Sequence, residues 1–209
     1  MAIKVVKKKL VSPSKYNIKC PYIMDATRIV VHNTYNDASA RNEIAYMISN
    51  NDECSFHFAI DDKEVVQGIP LNRNAWHAGD GNGKGNREGI AVEICYSKSG
   101  GERFIKAEKL AAKFIAQLLK ERGWGLNKVT KHQDYMDKYC PHRTLDMGWD
   151  RFKKMVQKEL DALEKPTVSV SKELKDKVQK RFGFSDGTIA FLLKHSSPET
   201  LFKKLATKK

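Results

Sequence analysis

The 209-residue chain is 41% hydrophobic and 30% charged, enough apolar content for a packed core and too much for a disordered chain. Its formal net charge of +13 favours polyanions without choosing among nucleic acid, anionic lipid and an anionic wall polymer. No uncharged apolar run approaches the ~18 residues of a membrane-spanning helix. The basic N-terminal residues are followed by neither an apolar block nor a small-residue cleavage site, so the expectation is a soluble chain made in the cytoplasm without a signal peptide.

In chain order, 28–33, 55–60 and 88–95 are β-branched or aromatic runs bounded by polar or glycine-rich segments, and they predict strands. Residues 62–68 complete a hairpin with the second run. A helix over 40–50 places Ile44, Met47 and Ile48 on one face. A second, over 107–122, carries Leu110, Ala111, Phe114, Ile115, Leu118 and Leu119 at three- and four-residue spacing and ends at Gly123. A third, over 149–163, uses Phe152, Val156, Leu160 and Leu163. Helices interspersed with strands and a hairpin predict an α/β fold, a mixed central sheet covered by helices.

Pro166 and its neighbours predict a linker over 164–170, which divides a main domain (1–163) from a small all-α module (171–209). Residues 167–209 hold ten Lys/Arg and four Asp/Glu, a net +6. Three short helices are expected there, over 171–181, over 187–194 and from Ser197, a good N-cap ahead of Pro198. Phe182, Phe184, Phe191 and Phe202 are expected to fill the thin core of this module.

The four cysteines, Cys20, Cys54, Cys95 and Cys140, form no C-x-x-C pair, against a zinc ribbon or a disulfide-dense scaffold. Each is either a reduced core thiol or, for one of them, a lone metal ligand. His32 ends an apolar strand, where a rigid sheet can present a side chain to a cleft or simply bury it. His132 and Cys140 lie eight positions apart in a polar, loop-like stretch without apolar periodicity, so packing explains them poorly. Two imidazoles and a thiolate make three ligands for Zn²⁺, with a fourth position left for water; this soft set argues against Mg²⁺ and Ca²⁺.

Five ordered segments, IVVHNT (29–34), SFHFAID (55–61), NAWHAG (74–79), GIAVEIC (89–95) and the stretch from Lys131-His132 to Cys140-Pro141, resemble the zinc-dependent N-acetylmuramoyl-L-alanine amidases. These are the type 2 amidases of bacteriophage endolysins and bacterial autolysins, which share the fold of the peptidoglycan recognition proteins. The resemblance covers 25–163. It implies that His32, His132 and Cys140 hold zinc, that Glu93 is the general base and that Lys138 is a second catalytic residue. The implied substrate is the amide between the lactyl group of N-acetylmuramic acid and the L-alanine of the stem peptide. Without the resemblance, Glu93 is a strand carboxylate facing solvent and Lys138 a solvated lysine. Many members carry tyrosine where this chain has Phe56, which shifts the proton chemistry onto Glu93.

Asn33, Trp76 and His77 are the expected substrate-binding residues, with a glycine-rich loop over 78–85 bordering the cleft. That loop is not a nucleotide site, since Gly85 stands where a phosphate loop needs Ser or Thr. His57 either backs the site or is buried, while His142 and His195 are expected at the surface and Cys20, Cys54 and Cys95 in packing roles. A non-catalytic peptidoglycan receptor on the same fold is the alternative, disfavoured by Cys140. A nucleic-acid-binding protein ranks last, for want of a recognition helix, a zinc-finger spacing or interleaved basic and aromatic strands. The implied partners are peptidoglycan and, through the tail, anionic wall polymers. The implied location is the host cytoplasm until release to the wall.

Overall fold

The interior strand β2 (Arg28–Asn33) is a β-branched run whose Ile29, Val30 and Val31 are fully buried, the pattern of a parallel strand covered on both faces. On one side it pairs in parallel with β5 (Gly89–Ile94) and on the other with β6 (Val129–Lys131). β3 (Phe58–Ile60) joins β5 in parallel and β4 (Val65–Gln67) in an antiparallel hairpin, and β1 (Val6–Lys8) adds in parallel to β4. The order is β1-β4-β3-β5-β2-β6, the mixed sheet expected from the sequence. The structure, a computed structural model, describes residues 6–164, 170–193 and 198–207, and divides into units spanning Met1–Glu164 and Lys165–Lys209.

Six helices accompany the sheet: α1 (Tyr16–Lys19), α2 (Ala40–Ser49), α3 (Lys84–Glu88), α4 (Gly101–Arg122), α5 (His142–Asp146) and α6 (Trp149–Glu164). α2 packs on β3 and β4, α4 on β3 and β5, and α6 on α4. α4 begins six residues earlier than its apolar stripe predicts, because Phe104 continues the buried face and a Glu102–Lys106 pair supports the polar first turn. Gly123, at φ 65°, closes it in the left-handed cap that glycine adopts without strain. Phe114 meets Phe58 edge to face at 4.7 Å, joining helix to sheet. Arg151 Nη2 donates to both oxygens of the buried Glu108 at 2.7 Å, which fixes α6 along α4.

The expected strand over 55–60 starts only at Phe58. The Ser55 hydroxyl instead donates to Lys19 O (2.6 Å) and accepts the Trp76 N–H (2.8 Å), tying that segment to the end of α1 and to the loop at Trp76.

The second unit contains α7 (Lys172–Phe182), α8 (Asp186–Leu192) and α9 (Pro198–Thr207). Ser171 and Ser185 cap α7 and α8 through Leu174 N–H and Thr188 N–H, and Gly183 ends α7 at φ 63°. Val170, Val178, Ile189, Phe202 and Ala206 form its small core, so Val170 belongs to this packing and not to a linker. Phe202 and Phe184 pack as expected, but Phe191 is 73% exposed and Phe182 41%. Two-turn α8 turns Ile189 inward, and a residue two positions further on a helix faces away. The Ser197 cap, His195 and Pro166 lie outside the described residues.

Candidate metal centre and active-site cleft

β2 delivers His32, and β6 leads directly into a 3₁₀ turn that delivers His132. The following loop returns Cys140 through Gln133 N–H donating to Cys140 O (3.0 Å). His32 Nδ1 lies 3.0 Å from His132 Nδ1 and 3.9 Å from Cys140 Sγ, and one ligand atom from each of the three falls within 4.8 Å of the others. All three residues are buried. Residues 100 and 108 positions apart thus converge on one point.

The donor set fits zinc. Burial holds both imidazoles below their ordinary pKa, His132 at about 4, so they are neutral ligands at physiological pH. Burial first, and then the charge of Glu93, pushes the Cys140 thiol up to about 12, a group that ionises only when a cation compensates it. His32 Nε2 is 2.9 Å from His77 Nδ1, an outer hydrogen bond of the kind that orients a ligating ring. His77, expected to bind substrate, therefore also braces the metal ligand from behind.

Glu93 stands in register beside His32. Burial, and next the charge of Glu43, raises its pKa to about 8 while Lys138 pulls the other way; its Oε2 has no protein partner. Two clefts meet here, sharing Cys54, His77, His132 and Lys138. The first, about 540 Å³, takes in Glu93, Asn33, Glu43 and Phe56, with Tyr35, Tyr46 and Tyr139 exposed at its rim. The second, about 690 Å³, is lined by Trp76, Tyr22, Asn82 and the glycine loop at Gly79 and Gly81.

Asn33 lines the first cleft, but its amide is engaged, donating to His32 O and Thr144 Oγ1 and accepting Thr144 N–H at 3.1 Å. Trp76 donates from Nε1 to Ile18 O and meets Tyr22 edge to face at 5.9 Å. Lys138 is exposed and borders both clefts.

Two sequence expectations are corrected. His142 is not a free surface histidine: Nε2 bonds Ser97 O at 3.1 Å, and its ring meets Tyr35 at 4.8 Å on the cleft wall. Cys54 is exposed on both clefts and is no packing thiol, in a loop whose carbonyl at Cys54 accepts from Lys19 Nζ; Cys20 and Cys95 are buried. His57 is fully buried, clamped between Ala91 N–H and Arg73 O. Glu43 escaped sequence analysis, although a signal was present: with Ala40, Ile44 and Met47 it occupies the buried face of α2.

Comparison with known proteins agrees with this geometry. The family model for N-acetylmuramoyl-L-alanine amidases matches residues 23–143. The chain is 61% identical to N-acetylmuramoyl-L-alanine amidase XlyB of Bacillus subtilis (strain 168) over 171 residues, 79% of this chain and 54% of the relative. It is 64% identical to CwlA of the same organism over 171 residues, 81% of this chain and 62% of the relative. The chain thus spans little more than half the length of these two curated relatives. The solved structure of PlyL superposes with a TM-score of 0.71 at 57% identity, covering 73% of this chain and 96% of that one. A family match over more than half the sequence, with relatives this close across four fifths of it, makes the chain a member of the N-acetylmuramoyl-L-alanine amidase family.

Proposed function

We propose that the chain hydrolyses the amide between N-acetylmuramic acid and L-alanine in peptidoglycan. The observation that carries this reading is the convergence of His32, His132 and Cys140 beside Glu93 at the meeting point of two clefts. His32, His132 and Cys140 would hold zinc, which when bound would supply a Lewis acid for the scissile carbonyl and lower the pKa of a bound water towards neutrality. Glu93, with an unpartnered oxygen on the cleft and ionised once a zinc cation beside it offsets the burial that raises its pKa, takes the proton of the attacking water and hands it to the departing amine of L-alanine. Lys138, at the border of both clefts, balances the negative charge that develops on the carbonyl oxygen. Phe56 has no hydroxyl to share this work. Asn33, Trp76 and His77 line the clefts on which the glycan and peptide portions lie.

Residues 1–163 act as the catalytic domain and 164–169 as a tether. The basic module over 171–209 concentrates the enzyme at anionic wall polymers, supported by its net +6 and its exposed Phe182 and Phe191. The endolysin role, with delivery from the host cytoplasm to the wall, follows the resemblance of the catalytic motifs. No described helix is long and apolar enough to cross a membrane.

Mass spectrometry of wall digested by the purified chain tests the activity. New free L-alanine amino ends without new reducing sugar ends are expected; binding without new amino ends would favour the receptor reading. For the tail, the full chain is expected to sediment with walls at low salt and to be released by added salt, as screened charge pairs are. Equal wall binding by a chain truncated at Lys165 would remove the targeting role.

A further inference from the structure

Glu43 is a carboxylate without an assigned purpose. It is 9% exposed and projects from the buried face of α2 into the 540 Å³ cleft. Burial raises the pKa of its carboxyl, with Asn36 acting in the opposite direction, and Oε1 has no protein partner. Leaving a buried oxygen unpaired is costly, so a ligand donor at that point is worth correspondingly more. Thr34 Oγ1 and Glu93 Oε2 on the same cleft share this condition, as do the Nε2 atoms of the metal-site histidines His77 and His132. Thr34 follows two residues after His32, the register partner of Glu93, and its N–H reaches Ile94 O at 3.2 Å, so it stands beside Glu93 at the end of the sheet. The cleft wall collects the carboxyl groups of Glu43, Asp52 and Glu93, with Lys138 its one Lys or Arg, in a chain whose net charge is +13. Acidic side chains therefore outnumber basic ones on this wall of an otherwise basic molecule.

We infer that Glu43, with Thr34 and Glu93, forms a subsite for a primary ammonium, the amino end of the peptide released by cleavage. This rests on the amidase reading and deepens it. An ammonium offers three N–H donors and no acceptor, which suits the unpartnered oxygens of Glu43, Thr34 and Glu93. The amine freed from an alanine amide is largely protonated at neutral pH. Glu43 therefore orients the amine side of the scissile bond and retains the peptide product, making the enzyme sensitive to product inhibition.

The test is calorimetric titration of the zinc-loaded full-length chain with L-alanyl-L-alanine and its N-acetyl form, which lacks the ammonium. Free dipeptide is expected to bind about tenfold more tightly than the acetylated one, and Glu43→Gln to reduce that preference to less than about threefold. Equal binding of the two by the wild-type chain overturns the proposal. So does a preference that persists in Glu43→Gln, because the ammonium then sits elsewhere. Thermal melting establishes that the variant is folded, and the wild-type comparison decides the matter if it is not. A chain that discriminates between the peptides but frees no alanine ends from wall sinks the amidase reading and leaves the ammonium subsite standing. A chain that frees them and binds both peptides alike sinks only the subsite.

Discussion

His32 and Glu93 lie side by side, in register, on the adjacent parallel strands β2 and β5. Their separation is therefore set by the backbone ladder in the interior of the sheet and not by a loop. Cys140, by contrast, arrives on an irregular segment that is held at His132 by a single backbone hydrogen bond to Gln133.

One zinc per chain is expected in purified protein by native mass spectrometry. Cys140→Ala should lose both metal and lytic activity, since two imidazoles remain where three ligands are needed. Full zinc occupancy in that variant would displace the cysteine from the ligand set.

Glu93→Ala should retain zinc and fold while turnover falls by ~10²–10⁴, the range of a positioned proton carrier. Near wild-type hydrolysis of wall by the folded, zinc-loaded variant would reduce Glu93 to a strand residue.

His57 should make the domain acid-sensitive. Its Nδ1 accepts Ala91 N–H at 3.0 Å while Nε2 donates to Arg73 O at 2.9 Å, a pairing only the neutral ring can make. Burial depresses its pKa to about 4. The unfolded chain thus binds a proton below ~6.5 that the folded chain refuses, so this stability is complete above that pH and is lost as pH falls towards 4. The loss amounts to about 3 kcal/mol. Urea unfolding at pH 7 and pH 4.5 should show a steeper pH dependence for the wild type than for His57→Gln; equal slopes would contradict the clamp.

Lys19 is completely buried, with Nζ donating to Asn50 Oδ1 (2.6 Å), Cys54 O (3.2 Å) and Asp52 O. Lys19→Met should cost about 3 kcal/mol by leaving these acceptors unpaired. Because Asn50, Asp52 and Cys54 line the cleft, KM should rise more than kcat falls. An unchanged melting temperature would show that the lysine is dispensable.

The long elements were legible because their burial patterns are periodic: β2, β5, α2 and α6 fall within a residue or two of their expected bounds. β1 and β6 were not, since three residues rich in lysine carry no usable alternation. α3 and α5, five residues each, are too short to show a helical period. The metal ligands could be named from residue type and ordered motifs. Glu43 and Lys19 were missed because a charge in sequence reads as solvated, and only tertiary packing reveals that it is buried.

Both outer strands of the sheet are only three residues long, and both carry lysine: Lys7 and Lys8 on β1, Lys131 on β6. Short, positively charged edges are poor templates for strand addition by a second molecule. Two approaching sheets would bring like charges together before any ladder hydrogen bond could form, which protects the domain against edge-to-edge aggregation at high concentration.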